Sequence, residues 1–300
     1  MTSFKEFFDI KKTILFDGAA GTNLLEKSGS LPCPDLLNFY AANLVESLHE
    51  TYLEAGCDVI ETNSFNSNPI SFENCGITEN AYDCAKTAAM LAKKAAEKFS
   101  TAEKPRFAAG SVGPVYTKNF LPEQNKELLF KAFQTQIAAL LEGGADLLVF
   151  ETFQDTVQAE AALSAAFATT EKLKKEIPVI LSVSGKNGKT HTGTPFEKFT
   201  QILSKFDLSA FGLNCESFDE TMHDAAIIRK ISKIPLILMP NLGLPEKTDG
   251  KLVYKTTPAE FAEKMSEIIK KFNPQIIGGC CGTTPEHIAA LCQGVSVSQN

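Results

Sequence analysis

The chain has no tryptophan, only five tyrosines and four histidines, and no apolar run near the ~18–20 residues that span a bilayer. Each scarcity excludes something. Without a long apolar segment, no membrane-spanning helix is expected. Positive charge is also short: 29 Lys and Arg against 36 Asp and Glu leave a net charge of −7. Nucleic acids and anionic membranes need clustered cations, so neither is expected as a partner. The histidines form no Ser-His-Asp pattern. His49 and His223 fall in helical patterns, His191 in a polar loop and His287 in a first helical turn, where surface or capping roles are expected. There is no Walker loop and no Gly-x-Gly-x-x-Gly after an apolar run.

Residues 1–12 carry charges of both signs without an apolar core, so a secretory signal is not expected. Eight cysteines without such a signal read as reduced thiols of a cytoplasmic protein. No Pro/Gly/Ser-rich linker or low-complexity segment interrupts the chain. One domain is therefore expected over 1–300, with an N-terminal extension 1–12 and a polar tail 294–300 that is disordered from Ser296.

What is present is a rhythm. Eight short runs rich in Val, Ile, Leu and Phe recur: Thr13–Phe16, Asp58–Glu61, Arg106–Gly110, Leu147–Phe150, Pro178–Val183, Ala210–Leu213, Pro235–Met239 and Gln275–Gly278. Such runs suit strands buried on both faces. Helical patterns lie between them, as at Asn80–Phe99, Leu128–Glu142, Gln158–Lys172, Phe218–Ile231 and Pro258–Phe272. Thr194-Pro195-Phe196-Glu197 and Thr257-Pro258-Ala259-Glu260 read as capping boxes with proline at the first helical position, and Thr284-Pro285 repeats that start. Eight strand–helix units predict an α/β fold, a (β/α)8 TIM barrel, with an open doubly wound sheet as the competing arrangement.

A barrel places its active site at the C-terminal strand ends. Polar residues gather there: Asp17-Gly18, Glu61-Thr62-Asn63, Ser111, Glu151-Thr152, Asn214-Cys215, Asn241 and Cys280-Cys281. Cys57, Cys75, Cys84 and Cys292 read as small buried hydrophobes. Cys280 and Cys281 do not, because Gly278, Gly279 and Gly282 remove the neighbours a packed thiol would touch. Adjacent strand residues point to opposite faces, so both thiols reach one ion only if the backbone turns, which those glycines permit. Cys215 ends strand six and Cys280 follows strand eight, so both flank strand seven. Three thiols there have the makings of a catalytic zinc site with an open fourth position, the metal ligands being Cys215, Cys280 and Cys281.

Three thiolates on Zn²⁺ carry net charge −1, which favours another soft ligand over hydroxide. A substrate thiol would bind as thiolate, the competent nucleophile, so alkylation of a substrate sulfur is the expected chemistry. Asp17 and Glu151 read either as helix caps or loop ion pairs, or as a clamp on an amino acid's ammonium group. The N–H groups of Gly18, Ala19 and Ala20 suit a carboxylate. Two other classes remain. A metal-dependent hydrolase would need a more Lewis-acidic zinc and strand-end histidines; a structural module would close its zinc with a fourth protein ligand.

Five segments, in chain order, then carry a resemblance: Asp17-Gly18-Ala19-Ala20-Gly21-Thr22, Thr62-Asn63-Ser64-Phe65, Glu151-Thr152-Phe153-Gln154-Asp155, Gly212-Leu213-Asn214-Cys215 and Gly278-Gly279-Cys280-Cys281-Gly282-Thr283-Thr284-Pro285-Glu286-His287. They resemble the homocysteine S-methyltransferase family. Met239-Pro240-Asn241-Leu242-Gly243-Leu244-Pro245 and Leu252-Val253-Tyr254 look most like the homocysteine-binding module of cobalamin-dependent methionine synthase. The resemblance implies a zinc-dependent barrel that methylates homocysteine to methionine. It further implies that Cys215, Cys280 and Cys281 hold the zinc, that Asp17 and Glu151 hold the amino group, and that Asn241 lies near the open zinc position.

No Asp-x-His-x-x-Gly cobalamin-ligand motif is present. Cobalamin is therefore expected only indirectly, as methyl donor on a separate corrinoid protein or module. A free small donor, S-methylmethionine or betaine, is the alternative. Betaine is disfavoured because quaternary ammonium groups are held by aromatic cages, best built with tryptophan, although 22 phenylalanines remain.

Overall fold

The computed structural model describes residues 2–29, 31–115, 121–248 and 251–298. Eight parallel strands form its centre: β1 (Ile14–Leu15), β2 (Val59–Glu61), β3 (Phe107–Val112), β4 (Leu147–Phe153), β5 (Val179–Val183), β6 (Ala210–Asn214), β7 (Leu236–Met239) and β8 (Ile276–Ile277). Each pairs with its sequence neighbour from β2 to β8, and β8 pairs back onto β1. A parallel bridge from Phe16 to Val59 joins β1 to β2, so the sheet closes into a TIM barrel. All eight predicted runs are strands; the open-sheet alternative falls.

Period-two alternation divides the core into two layers. Ile14, Phe16, Val59, Phe107, Ala109, Leu147, Val149, Ile180, Ala210, Ile237 and Ile276 fill the barrel interior. Their strand neighbours Leu15, Ile60, Ala108, Leu148, Phe150 and Leu181 pack outward against the helices. Phe4 and Phe7 of the helix Phe4–Ile10 join the interior cluster, their rings 5.2 and 5.1 Å from that of Phe107. The N-terminal extension is thus a plug in the barrel floor.

Helices at 81–99, 126–142, 156–173, 218–231 and 258–272 follow the predicted patterns. The Thr257 capping box forms as read, its hydroxyl accepting from the Glu260 N–H. The one at Thr194 does not: Phe196–Phe199 is a 3₁₀ turn without a side-chain cap. There the Thr194 N–H donates to the Thr190 hydroxyl, and the Thr194 carbonyl accepts from the Thr190 N–H, which commits this stretch to a turn. The last helix, Pro285–Ser298, continues through most of the expected tail, while residues 299–300 lie outside the described residues. Among the described residues, no helix is long and apolar enough to cross a membrane.

Two cysteine and histidine expectations need correction. Cys75 is exposed rather than packed, because it caps the short helix Pro69–Asn74 at the surface. His49 is fully buried, and burial pushes its imidazole down to about 4, so it sits neutral in the core.

Candidate active site

The C-terminal strand ends surround a cavity of about 320 Å³ whose wall includes Glu61, Glu151, Cys215, Cys280 and Cys281. The three predicted cysteines come together. Their sulfurs all lie within 4.8 Å of one another, and the Cys215 and Cys281 Sγ atoms are 3.3 Å apart. The loop after β7 stitches the strand ends in place. Cys215 N–H donates to the Met239 carbonyl, Cys280 N–H to the Pro240 carbonyl, and Leu242 N–H to the Cys281 carbonyl.

Backbone turns aim the thiols. Cys215 stands at φ 58°, a left-handed conformation that costs a non-glycine residue energy and is held only by its surroundings. Thr283 N–H closes a turn onto the Cys280 carbonyl, with Gly282 at φ 86°. That turn lets adjacent Cys280 and Cys281 face one point. Hydrogen bonds from Cys215 and Cys280 hold the Cys281 thiol down to about 3, while contacts with Cys215 and Cys281 push Cys280 well up.

Three carboxylates cluster at the strand ends: Glu61 and Glu151 line the cavity, and the predicted Asp17 does not. Asp17 is fully buried and accepts from the Glu61 N–H at 3.1 Å, with its other oxygen unpartnered. Glu61 also has a buried, unpartnered oxygen. Glu151 accepts from the Ser111 hydroxyl at 2.5 Å and from Asn214 Nδ2 at 3.2 Å. Burial raises all three acids, Glu151 to about 7, and their mutual repulsion lifts Asp17 and Glu61 further. No Lys or Arg among the described residues pairs with them.

Asn214 connects the two halves. Its Oδ1 accepts from the Thr152 N–H and the Ser182 hydroxyl. Its Nδ2 reaches Glu151, the Thr152 hydroxyl and, at 3.9 Å, the Cys280 sulfur. Thr152 itself sits at φ 63°, where β4 slips register, and this bulge turns Glu151 into the cavity.

Other expected residues take different places. The Ala19 N–H donates to the Thr283 hydroxyl and is not free for a carboxylate. Gly18, Ala19 and Ala20 do line the cavity, and the helix Ala20–Ser28 opens there without a side-chain cap. Asn241 does not line it. Its Nδ2 donates to the Cys215 carbonyl and its Oδ1 accepts from the Gly243 N–H, so it braces the cysteine turn from behind. Glu61 was read only as a polar strand end. The available signal was its position, which matches those of Asp17 and Glu151.

A closed parallel barrel with a thiol cluster facing buried acids defines a class of sulfur-directed barrel proteins. The model of the homocysteine S-methyltransferase family matches residues 14–295, and the chain belongs to that family. It is 28% identical over 295 residues to the methionine synthases of Mycobacterium leprae and Mycobacterium tuberculosis. Those alignments take in 95% of this chain, which spans about a quarter of the length of the curated relatives it matches. Among solved structures, the homocysteine methyltransferase MmuM from Escherichia coli, in its metallated form, is similar in fold. Its TM-score is 0.77 at 23% identity, covering 97% of this chain and 99% of that one.

Proposed function

We propose that this chain is a homocysteine-binding barrel domain, one domain over 1–300, that methylates homocysteine to methionine in the cytoplasm. One observation carries the reading: a three-thiol cluster and the acids Glu61 and Glu151, unpaired with any cation among the described residues, line a single cavity. Homocysteine has a thiol at one end and an ammonium and a carboxylate at the other.

The donor set fits zinc. Three sulfurs within 4.8 Å are soft, converging ligands, and no fourth His, Cys, Asp or Glu among the described residues joins them. Cys215, Cys280 and Cys281 would hold the ion, which when bound supplies the positive charge that keeps a substrate thiol deprotonated near neutral pH. That no fourth His, Cys, Asp or Glu joins them among the described residues supports a catalytic site over a closed structural one.

The chain's own residues do the positioning. Asp17, Glu61 and Glu151 take the ammonium, whose charge compensates acids that burial otherwise penalises. The uncapped first-turn amides of Ala20–Ser28 suit the substrate carboxylate. Holding both ends fixes the sulfur for in-line attack, so that the new S–CH₃ bond forms as the donor–CH₃ bond breaks.

The favoured donor is a methylcorrinoid on another protein or module, consistent with relatives that are methionine synthases about four times as long. Among the described residues, Phe65 is the one aromatic side chain lining the cavity, too few for a betaine cage. The test is methionine formation from homocysteine by reduced, zinc-loaded protein, with free methylcobalamin and with S-methylmethionine in parallel. Turnover with methylcobalamin alone supports the corrinoid donor; turnover with the sulfonium alone replaces it. Failure with both donors, and with betaine, sinks the activity.

A further inference from the structure

Among the described residues, five that are not glycine stand at positive φ: Thr152, Lys174, Asn187, Cys215 and Asn273. Lys174 and Asn273 end helices, where that conformation is ordinary. The other three belong to one hydrogen-bonded unit. Cys215 and Thr152 end β6 and β4 at the cavity, and Asn187 turns the hairpin that pairs Gly185–Lys186 with Lys189–Thr190 after β5.

One end of this hairpin is tied to the cysteine turn. The Gly185 N–H donates to Glu216 Oε1 at 2.8 Å, and the Ser184 hydroxyl donates to the Cys215 carbonyl at 3.4 Å. Glu216, the residue after Cys215, is buried, and its own carbonyl accepts from the Asn241 N–H. The peptide that follows the Cys215 sulfur is thus gripped from β5 and from β7 at once. Gly185 is required there, since a Cβ would meet the Lys189 carbonyl oxygen at 1.9 Å. The Gly188 N–H fixes the hairpin tip by donating to Asp224 Oδ1 at 3.0 Å.

The other end is tied to the bulge of β4. The Thr190 and Thr192 hydroxyls both donate to the Gln154 carbonyl at 2.6 Å, and the His191 N–H donates to Gln154 Oε1 at 2.9 Å. Gln154 is buried, and its Nε2 donates in turn to the Thr152 carbonyl at 3.1 Å. A left-handed conformation at a residue with a side chain persists only where its surroundings over-determine it. For Cys215 and Thr152 a single loop supplies part of that support.

We propose that Ser184–Thr192 is a strap across both strained residues, with Glu216 and Gln154 as its positioning residues. Glu216 sets the Cys215 thiol for the metal, and Gln154 sets the bulge that aims Glu151 at the substrate ammonium. This rests on the zinc and homocysteine reading of the cavity and adds two residues to it. Neither lines the cavity, so each acts through the residue it holds.

Support of this kind is reciprocal: whatever factor the strap adds to zinc affinity, zinc returns to the strap. In wild type, the Gly185 and Gly188 amides should therefore exchange hydrogen about 10-fold more slowly with zinc than without. Amides of the floor helix Phe4–Ile10 should keep their rates. Glu216→Leu, which removes the acceptor at similar bulk, should bind zinc roughly 10- to 100-fold more weakly in chelator competition. Glu216→Gln keeps an oxygen for Gly185 and should restore the affinity. Gln154→Met should leave zinc affinity unchanged while raising the half-saturating homocysteine concentration roughly 5-fold, read by sulfur-to-cobalt absorption in Co²⁺-loaded protein. A merely structural role would move stability alone, without this split between metal and substrate. Exchange at Gly185 that ignores zinc overturns the proposal, even if Glu216→Leu does not fold. So does a Glu216→Leu affinity equal to wild type, or a loss that Glu216→Gln fails to restore. A homocysteine titration of Gln154→Met that overlies wild type removes the Gln154 half. A wild type that binds metal without any response to homocysteine overturns the substrate reading instead, and only the Gln154 half falls with it.

Discussion

The barrel has buried acids at both ends, and the two ends treat them in opposite ways. At the floor, Asp58 accepts from Lys11 at 2.5 Å, from Arg106 at 3.2 Å and from the Leu15 N–H at 2.8 Å. Nearby Asp146 accepts from Lys93 and from the Ala108 N–H. Both floor acids are compensated by cations of the protein itself. At the mouth, Asp17, Glu61 and Glu151 lie together with no cation paired to them among the described residues, and Asp17 and Glu61 each keep an oxygen without a partner there. The same residue types are structural where the chain supplies the counter-charge and are receptive where it does not. Unpaired buried acids cost stability, so their presence at the mouth points to a ligand that completes them.

The sharpest way to break this contrast is at the thiol end of the mouth. Cys280→Ser or Cys281→Ser should lose zinc, read as metal per chain by mass spectrometry, and activity with it. Full metal retention in either would sink the three-thiolate assignment.

Next comes a pair of opposite signs. Asp58→Asn strands Arg106 and should destabilise the fold by roughly 3 kcal/mol in urea unfolding. Glu61→Gln should leave the ligand-free fold as stable or more so, while raising the homocysteine concentration needed for half-saturation by about 10-fold or more. If both changes destabilise equally, the ends do not differ.

The pH dependence sharpens the same point. An acid raised in the folded state binds more protons there than in the unfolded chain, so stability falls as pH rises between the two values. For Glu151 that window runs from its ordinary 4.5 to about 7. Ligand-free protein should therefore melt at lower temperature at pH 7.5 than at pH 5.5. Homocysteine should reverse much of that loss, since its ammonium meets the ionised acids. A melting temperature that rises with pH across this window contradicts the assignment.

Smaller effects are expected at the connections. Asn214→Ala should reduce kcat/KM for homocysteine about 10-fold, because it frees Glu151 and the Thr152 bulge together. Gly282→Ala should cost roughly 1–2 kcal/mol, from its positive φ and the Tyr254 ring.

Local chemistry accounts for what the chain order alone revealed. Strand runs such as Pro178–Val183 and helices such as Phe218–Ile231 are legible because burial on both faces and 3.6-residue periodicity act within a few residues. Cys280 and Cys281 are legible for a similar reason: glycines on both sides exclude the packing role, and β6 and β8 must flank β7 in a closed barrel.

Tertiary structure decided which of several plausible groups are free. Nothing near Ala19 in the chain announces that its N–H is consumed by Thr283, and nothing near Asn241 shows that its amide is spent on Cys215 and Gly243. Glu61 looked like any polar strand end until the barrel set it beside Asp17 and Glu151. The residues at the mouth come from separate strands far apart in sequence. Their charge and hydrogen bonding depend on distances between those strands, which only closure of the barrel establishes.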